Sequence, residues 1–174
     1  RTPLQTTHPR IYSVLQRKNG LFSANHPAVV LDVTGVVEED TRVDGFEIKT
    51  GQHAEFHEIT EQVQAYISRA KVNSGVACIY VPHTTAGITI NENADPDVKA
   101  DINTALEKLV PWMQGHFKHA EGNSAAHIKA CMMGFSTMVF IENGKLRLGT
   151  WQGIYLCEFD GPRTRQVWVK ILPG

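Results

Sequence analysis

The sequence is poor in cysteine. Its three cysteines, Cys78, Cys131 and Cys157, lie far apart along 174 residues and show no Cys-x-x-Cys spacing. A small, odd set of this kind predicts reduced thiols in an intracellular protein and not a disulfide framework.

Long apolar runs and an excess of one charge are also missing. No run approaches the ~18 consecutive apolar residues of a membrane-spanning helix, so we expect a cytoplasmic protein with no membrane partner. The 17 Lys and Arg residues nearly balance the 18 Asp and Glu residues, so the chain lacks the basic excess typical of nucleic-acid-binding proteins. An apolar share of 42% over 174 residues indicates one folded domain with a sizeable core.

The chain is predicted to consist of an N-terminal extension and one main domain. Residues 1–45 contain scattered prolines and one possible strand at residues 29–37, and we interpret them as the extension. The main domain is predicted to cover residues 46–174, where regular apolar patterns follow one another without interruption.

Two helices and several strands are predicted in the main domain. Apolar residues recur at helical spacing over residues 59–70, and a second helix begins at Asp95-Pro96 and ends before Pro111. Strand patterns outnumber the helices: they cover residues 46–50, 75–81, 88–90, 134–141, 146–148, 154–159 and 166–171. This order predicts an α+β fold of layered β-sheets with two main helices packed on one side, in a single domain.

A polar segment at residues 83–95 joins a predicted buried strand to a predicted helix start. It holds one imidazole, His83, and two carboxylates, Glu92 and Asp95, which suit metal ligation or acid–base chemistry. Its hydroxyls, free amides and helix end also suit an anion. The alternative is a polar turn whose side chains bond their own backbone, with Asp95 serving only as a helix cap.

A second candidate segment, residues 119–129, contains His119, His127 and Lys129 around a Gly-Asn-Ser turn. Small residues there allow a ligand to approach the backbone closely. The two histidines are eight residues apart and lack the His-Glu-x-x-His signature, so spacing alone is a weak metal signal. The alternative is that both are ordinary surface or hydrogen-bonded histidines.

Two further segments offer polar groups beside glycines. Thr150 and Gln152 lie between Gly149 and Gly153, at the entry to a predicted strand, where they could bind a substrate. Arg163 lies in a turn that presents two guanidinium groups suited to phosphate. The alternatives are a tight hairpin and a solvated turn.

Three runs of sequence together resemble the secondary thiamine-phosphate synthase family, formerly described as an uncharacterised protein family. They read VPHTTAGITINENADPDV at residues 81–98, EGNSAAHIKA at residues 121–130 and GTWQGIYLCEFDGPRTRQV at residues 149–167. The likeness covers roughly residues 46–171, in order. It implies an α+β domain that assembles as a homotrimer, with a pocket in which histidines hold a divalent metal or a bound anion.

The resemblance also implies roles for individual residues. His83, His119 and His127 match the motif histidines and would bind the metal, for which we expect zinc or magnesium. The groups that the resemblance makes catalytic are His83, Glu92, Lys129, Thr150, Gln152 and Arg163. No other cofactor is implied.

The activity implied by the resemblance is a metal-assisted transfer. A hydroxymethylpyrimidine diphosphate would couple to a thiazole phosphate and release pyrophosphate, so that the partners are small phosphorylated substrates. Two alternatives stay open: a module that binds a metal or an anion without turning it over, and a metal-dependent hydrolase that uses an activated water.

Overall fold

A computed structural model describes residues 43–174, so the strand predicted at residues 29–37 lies outside the described residues. The elements follow in the order β1 (Asp44–Lys49), β2 (Glu55–Glu58), α1 (Thr60–Ala70), β3 (Ser74–Tyr80), β4 (Ala86–Glu92), α2 (Pro96–Leu109), α3 (Ser124–Met133), β5 (Ser136–Glu142), β6 (Lys145–Leu146), β7 (Gln152–Glu158) and β8 (Thr164–Pro173). No helix in this part of the chain is both long enough and apolar enough to span a membrane.

The strands form two antiparallel sheets. The large sheet has the order β1-β8-β3-β5-β6, and the small sheet has the order β2-β7-β4. In the small sheet β7 pairs with both neighbours, so that Ala86 lies opposite Glu158 at one end and Glu92 lies opposite Gln152 at the other. The two ends of this sheet are therefore one length of β4 apart, from Ala86 to Glu92.

The core lies on both faces of the small sheet. One cluster of buried side chains joins the inner residues of both sheets to α1, including Ile154 and Leu156 of β7. The alternate residues Tyr155 and Cys157 belong to a second cluster, shared with α2 and α3. Because successive side chains of a strand point to opposite faces, β7 is buried on both sides and reads as a continuous apolar run.

The fold class is confirmed: the domain is α+β, with layered sheets. Both predicted helices are present, and Asp95 caps α2 by accepting the Asp97 amide hydrogen bond at 2.9 Å. The structure adds a third helix, α3, where the sequence indicated only a turn followed by small residues. Ala125, Ala126 and Ala130 of α3 are fully buried, and these small side chains allow the helix to approach β4 closely.

Candidate functional site

A cavity of about 440 Å³ lies beside the start of β4 and the start of α3. Three segments far apart in sequence line it, at residues 82–85, 119–127 and 160–165. The lining is polar and includes three of the predicted histidines and two arginines. The fold therefore brings His83, His119, His127 and Arg163 to one place, as the motifs predicted.

Arg165 is the most enclosed cation of the cavity. It is 5% exposed and makes a two-pronged ion pair with Glu158, which is 0% exposed. Nε donates to Oε2 at 2.7 Å, and Nη2 donates to Oε1 at 2.5 Å and to the Thr85 hydroxyl at 2.8 Å. These bonds fix the plane of the guanidinium, and they use Nε and Nη2 but not Nη1.

Glu158 is held as a carboxylate by several donors at once. Besides Arg165 it accepts hydrogen bonds from the Thr50 hydroxyl at 3.0 Å and from the backbone N–H groups of Phe159 and Asp160, each at 2.9 Å. Burial alone would raise the pKa of Glu158, but the Arg165 guanidinium and the other donors lower it below its usual range. The pair therefore stays charged at neutral pH.

His83 is held by the backbone of β8. Its Nε2 accepts a hydrogen bond from the Gln166 N–H at 2.8 Å. Burial lowers the pKa of His83, and the nearby charge of Arg165 lowers it further. A neutral imidazole that accepts at Nε2 carries its proton on Nδ1, so His83 offers a hydrogen-bond donor to the site and not a base.

Arg163 is linked to α3 through Asp160. Its Nη2 donates to Oδ2 of Asp160 at 2.7 Å, and its Nε donates to the Asp160 carbonyl at 2.8 Å. The same Oδ2 accepts from Nδ2 of Asn123 at 3.1 Å. The Arg163 side chain remains 51% exposed, so it borders the mouth of the cavity.

His119 and His127 form an edge-to-face pair in the cavity wall. Their ring centroids are 5.3 Å apart, with an interplanar angle of 84°. Nε2 of His119 lies 3.8 Å from Oε2 of Glu121, which provides a charge partner when the imidazole is protonated. Two adjacent imidazoles beside a carboxylate are suited to moving a proton.

His83, His119 and His127 do not form a metal-holding group in the structure, and their role as metal ligands stays a prediction. The described residues contain no group of three histidine, cysteine, aspartate or glutamate side chains arranged to hold a metal. Nε2 of His83 is already occupied by the Gln166 N–H. These histidines do not fit a divalent ion as three ligands, and whether the protein uses zinc or magnesium stays a prediction.

Three predicted residues lie at the far end of the small sheet. Glu92 is the last residue of β4 and pairs with Gln152 at the start of β7, and Thr150 lies just before Gln152. Six residue steps separate Ala86 from Glu92, a distance of roughly 20 Å along a strand. The structure therefore does not bring Glu92, Thr150 or Gln152 to the cavity.

Lys129 also lies away from the cavity. It is 2% exposed and its ammonium pairs with Glu107 of α2. The hydrogen bond from Lys129 lowers the pKa of Glu107. Lys129 therefore links α3 to α2. His127 and Lys129 lie two positions apart on α3, so their side chains leave the helix on different faces, and only His127 borders the cavity.

Glu158 was not predicted as a site residue, and Arg165 was predicted only as the second guanidinium of the turn that contains Arg163, although the sequence carries a signal for a buried pair. Arg165 precedes Val167 and Val169 at alternate, inward positions of β8, and Glu158 ends the apolar run of β7. Opposite charges at two inward positions indicate a buried pair.

Similar proteins share both sequence and fold with this chain. The sequence model described as UPF0047 protein YjbQ-like matches residues 44–174. The UPF0047 protein YugU of Bacillus subtilis is 53% identical over 126 residues, which are 72% of this chain and 96% of that protein. The UPF0047 protein MJ1081 of Methanocaldococcus jannaschii is 54% identical over 129 residues, which are 73% of this chain and 91% of that protein.

Solved structures agree with these sequence matches. An uncharacterized conserved protein of the YjbQ/UPF0047 family from Clostridium acetobutylicum superposes with a TM-score of 0.73 at 55% identity, covering 75% of this chain and 100% of that chain. The conserved hypothetical protein TT1486 from Thermus thermophilus superposes with a TM-score of 0.70 at 42% identity, over 75% of this chain and 100% of that chain.

The resemblance to the secondary thiamine-phosphate synthase family was wrong as a family assignment. The matching family model and the relatives above are described as UPF0047 and YjbQ-like, and none of those descriptions names a thiamine-phosphate synthase or a bound metal. By the match over residues 44–174, the chain belongs to the UPF0047 YjbQ-like family.

Proposed function

We propose that the chain binds a small phosphorylated compound, with its phosphate group in the cavity beside Arg163 and Arg165. The observation that carries the proposal is the guanidinium of Arg165, buried and fixed by Glu158 and Thr85. A cation whose orientation is set before a ligand arrives loses little entropy on binding. Guanidinium groups match phosphate oxygens in geometry as well as charge.

Two further features support an oxyanion. Helix α3 begins at Ser124 without a side-chain cap, and Asn123, just before it, and His127, in its first turn, border the cavity. The start of a helix carries uncapped amides and the positive end of the helix dipole, both of which favour an anion. His83 adds a neutral donor in its Nδ1–H form. The volume of about 440 Å³ suits a compound larger than phosphate alone.

The proposal predicts that phosphate and pyrophosphate stabilise the full chain against heat. A ligand at a hundredfold excess over its dissociation constant adds about 2.7 kcal/mol to the free energy of unfolding. Replacing Arg163 by alanine removes a charge-assisted hydrogen bond worth about 1.5–3 kcal/mol, so affinity is expected to fall roughly tenfold to hundredfold.

The matched control is Arg147→Ala. Arg147 is 70% exposed and pairs with Glu142 at 3.1 Å, much as Arg163 pairs with Asp160, but it does not line the cavity. With increasing phosphate, the Tm of the wild type and of Arg147→Ala is expected to rise. The Tm of Arg163→Ala is expected to rise little. Equal shifts in all three proteins would contradict the proposal.

Whether the bound compound is turned over is a separate question. His119 and His127 are placed to move a proton to or from a ligand in the cavity, which favours an enzyme over a passive binding module. The transfer that couples a pyrimidine diphosphate to a thiazole phosphate stays a prediction, as does hydrolysis. The arginines would neutralise the pyrophosphate that departs in the transfer, or the phosphate group that is attacked in a hydrolysis.

The homotrimer also stays a prediction, and the outer face of the large sheet is the surface that we propose for it. Phe140 and Met138 of β5 are 72% and 71% exposed and lie opposite Val76 and Cys78 of β3. Further along the same face are Tyr80 and Trp168, whose rings are 5.7 Å apart. A contiguous apolar sheet face is typical of a surface that is covered by another molecule.

Phe140→Asp is expected to reduce the assembly to single chains of 19.3 kDa, because a carboxylate cannot be buried there without a partner. Light scattering of the full chain measures the mass. Met113→Asp is the control, since Met113 is 78% exposed and lies outside the sheet. A wild-type chain that is already monomeric would contradict the proposed surface.

A further inference from the structure

Asn123 differs from the other residues of the cavity wall because its amide oxygen has no partner. The residue is 6% exposed, and Oδ1 is buried without a hydrogen bond to any described residue. Nδ2 donates to Asp160 at 3.1 Å and to Oε2 of Glu121 at 3.4 Å. Because carboxylates accept hydrogen bonds, the nitrogen must face them, and this fixes Oδ1 as the free acceptor.

The groups around Asn123 do not supply the missing donor. Arg163 directs Nε and Nη2 to Asp160. The backbone N–H groups of Ala126 and His127 both donate to the carbonyl oxygen of Asn123 and not to its side chain. Buried polar atoms are nearly always paired, so Oδ1 is expected to accept a hydrogen bond from a bound ligand or a water molecule.

We propose that Asn123 selects a ligand whose oxyanion carries its own proton, with Oδ1 accepting the hydrogen bond from a P–O–H group. The inference rests on the proposed function, since Arg163 and Arg165 would hold the unprotonated oxygens of the same group. Inorganic phosphate keeps at least one proton near neutral pH, and a phosphate monoester keeps one in its monoanion, which is the form that Oδ1 would select. Sulfate has the same tetrahedral shape and keeps none, so only phosphate can donate to Oδ1.

The test compares phosphate and sulfate by calorimetric titration of the full chain near neutral pH at matched ionic strength. The wild type is expected to bind phosphate at least about tenfold more tightly than sulfate. In Asn123→Ala the phosphate affinity falls towards that of sulfate, whereas sulfate affinity changes little. Ser124→Ala is the control, because it alters the same helix start and leaves the amide in place.

The outcomes separate this inference from the proposed function. Equal affinities in the wild type, or a phosphate preference that survives in Asn123→Ala, would overturn the role of Asn123 while the oxyanion site stands; a water molecule would then satisfy Oδ1. Binding of neither anion would overturn both. If Asn123→Ala does not fold, the wild type decides the question. A higher affinity for phosphate than for both sulfate and molybdate supports the inference, and any other order of the three affinities overturns it.

Discussion

Replacing Arg165 with methionine is expected to lower the free energy of unfolding by about 3–5 kcal/mol. Methionine fills much of the space of the arginine stem, but it leaves the Glu158 carboxylate at 0% exposure without its guanidinium. An unpaired buried charge is among the most costly defects in a folded protein. For a domain of this size the loss corresponds to roughly 10–20 °C in Tm.

The pH dependence identifies the cause. In the wild type the lowered pKa of Glu158 contributes stability that is present above the unfolded value of about 4.3 and is lost as the pH falls through the folded pKa. In Arg165→Met, burial without a counterion raises the pKa of Glu158. The variant's loss in free energy of unfolding relative to the wild type is therefore largest near neutral pH, where Glu158 would be charged. It shrinks as Glu158 becomes protonated at acidic pH.

Urea unfolding at neutral pH and near pH 4 measures both effects. Arg147→Met is the matched control, since Arg147 is 70% exposed and its pair with Glu142 is worth at most about 1 kcal/mol. Similar losses for the two variants, or a deficit for Arg165→Met that does not shrink in acid, would show that the buried pair does not stabilise the fold as described.

Gly87→Val is expected to lower stability by about 1–3 kcal/mol and to weaken phosphate binding at the same time. A Cβ at Gly87 would meet the Gly134 carbonyl oxygen at 2.8 Å and Met133 Cβ at 2.9 Å. Neither atom is the flexible end of a side chain, so α3 has to move away from β4. The same helix carries His127 and starts next to Asn123, so its displacement disturbs the cavity wall.

Gly115→Val is the control for this effect. A Cβ at Gly115 would meet nothing within 4 Å, so the substitution tests a glycine in a loop and leaves the contact between helix and sheet unchanged. Chemical unfolding and phosphate titration of both variants measure the two consequences. A Gly87→Val protein with wild-type stability and affinity would mean that the close approach of α3 to β4 does not position the site.

Much of the fold could be predicted because most elements show a clear period. Helix α2 has both a cap at Asp95 and a proline at its first position, and β7 is apolar throughout because it is buried on both faces. Helix α3 could not be predicted in this way. Its residues are small or apolar on nearly every side, so no single stripe marks the buried face.

The site could be predicted in part. His83 and Arg163 lie in short loops at one end of the strands, where neighbouring segments meet, so both border the same cavity. Glu92 and Gln152 share motifs with them but lie one strand length away, a separation that a motif does not show. Arg165 was predicted as part of a turn, whereas it lies at an inward position of β8, and Glu158 was not predicted because it ends an apolar run.

Chemical-shift mapping of phosphate binding tests the central claim most directly. The full chain, labelled with nitrogen-15, is titrated with inorganic phosphate at fixed pH, and backbone and arginine Nε–H resonances are followed. We predict that the shifts concentrate at residues 82–85, 119–127 and 160–165, which line the cavity, and include Nε–H of Arg163. Shifts confined to the Glu92 and Gln152 end of the small sheet, or no shifts at all, would contradict the account.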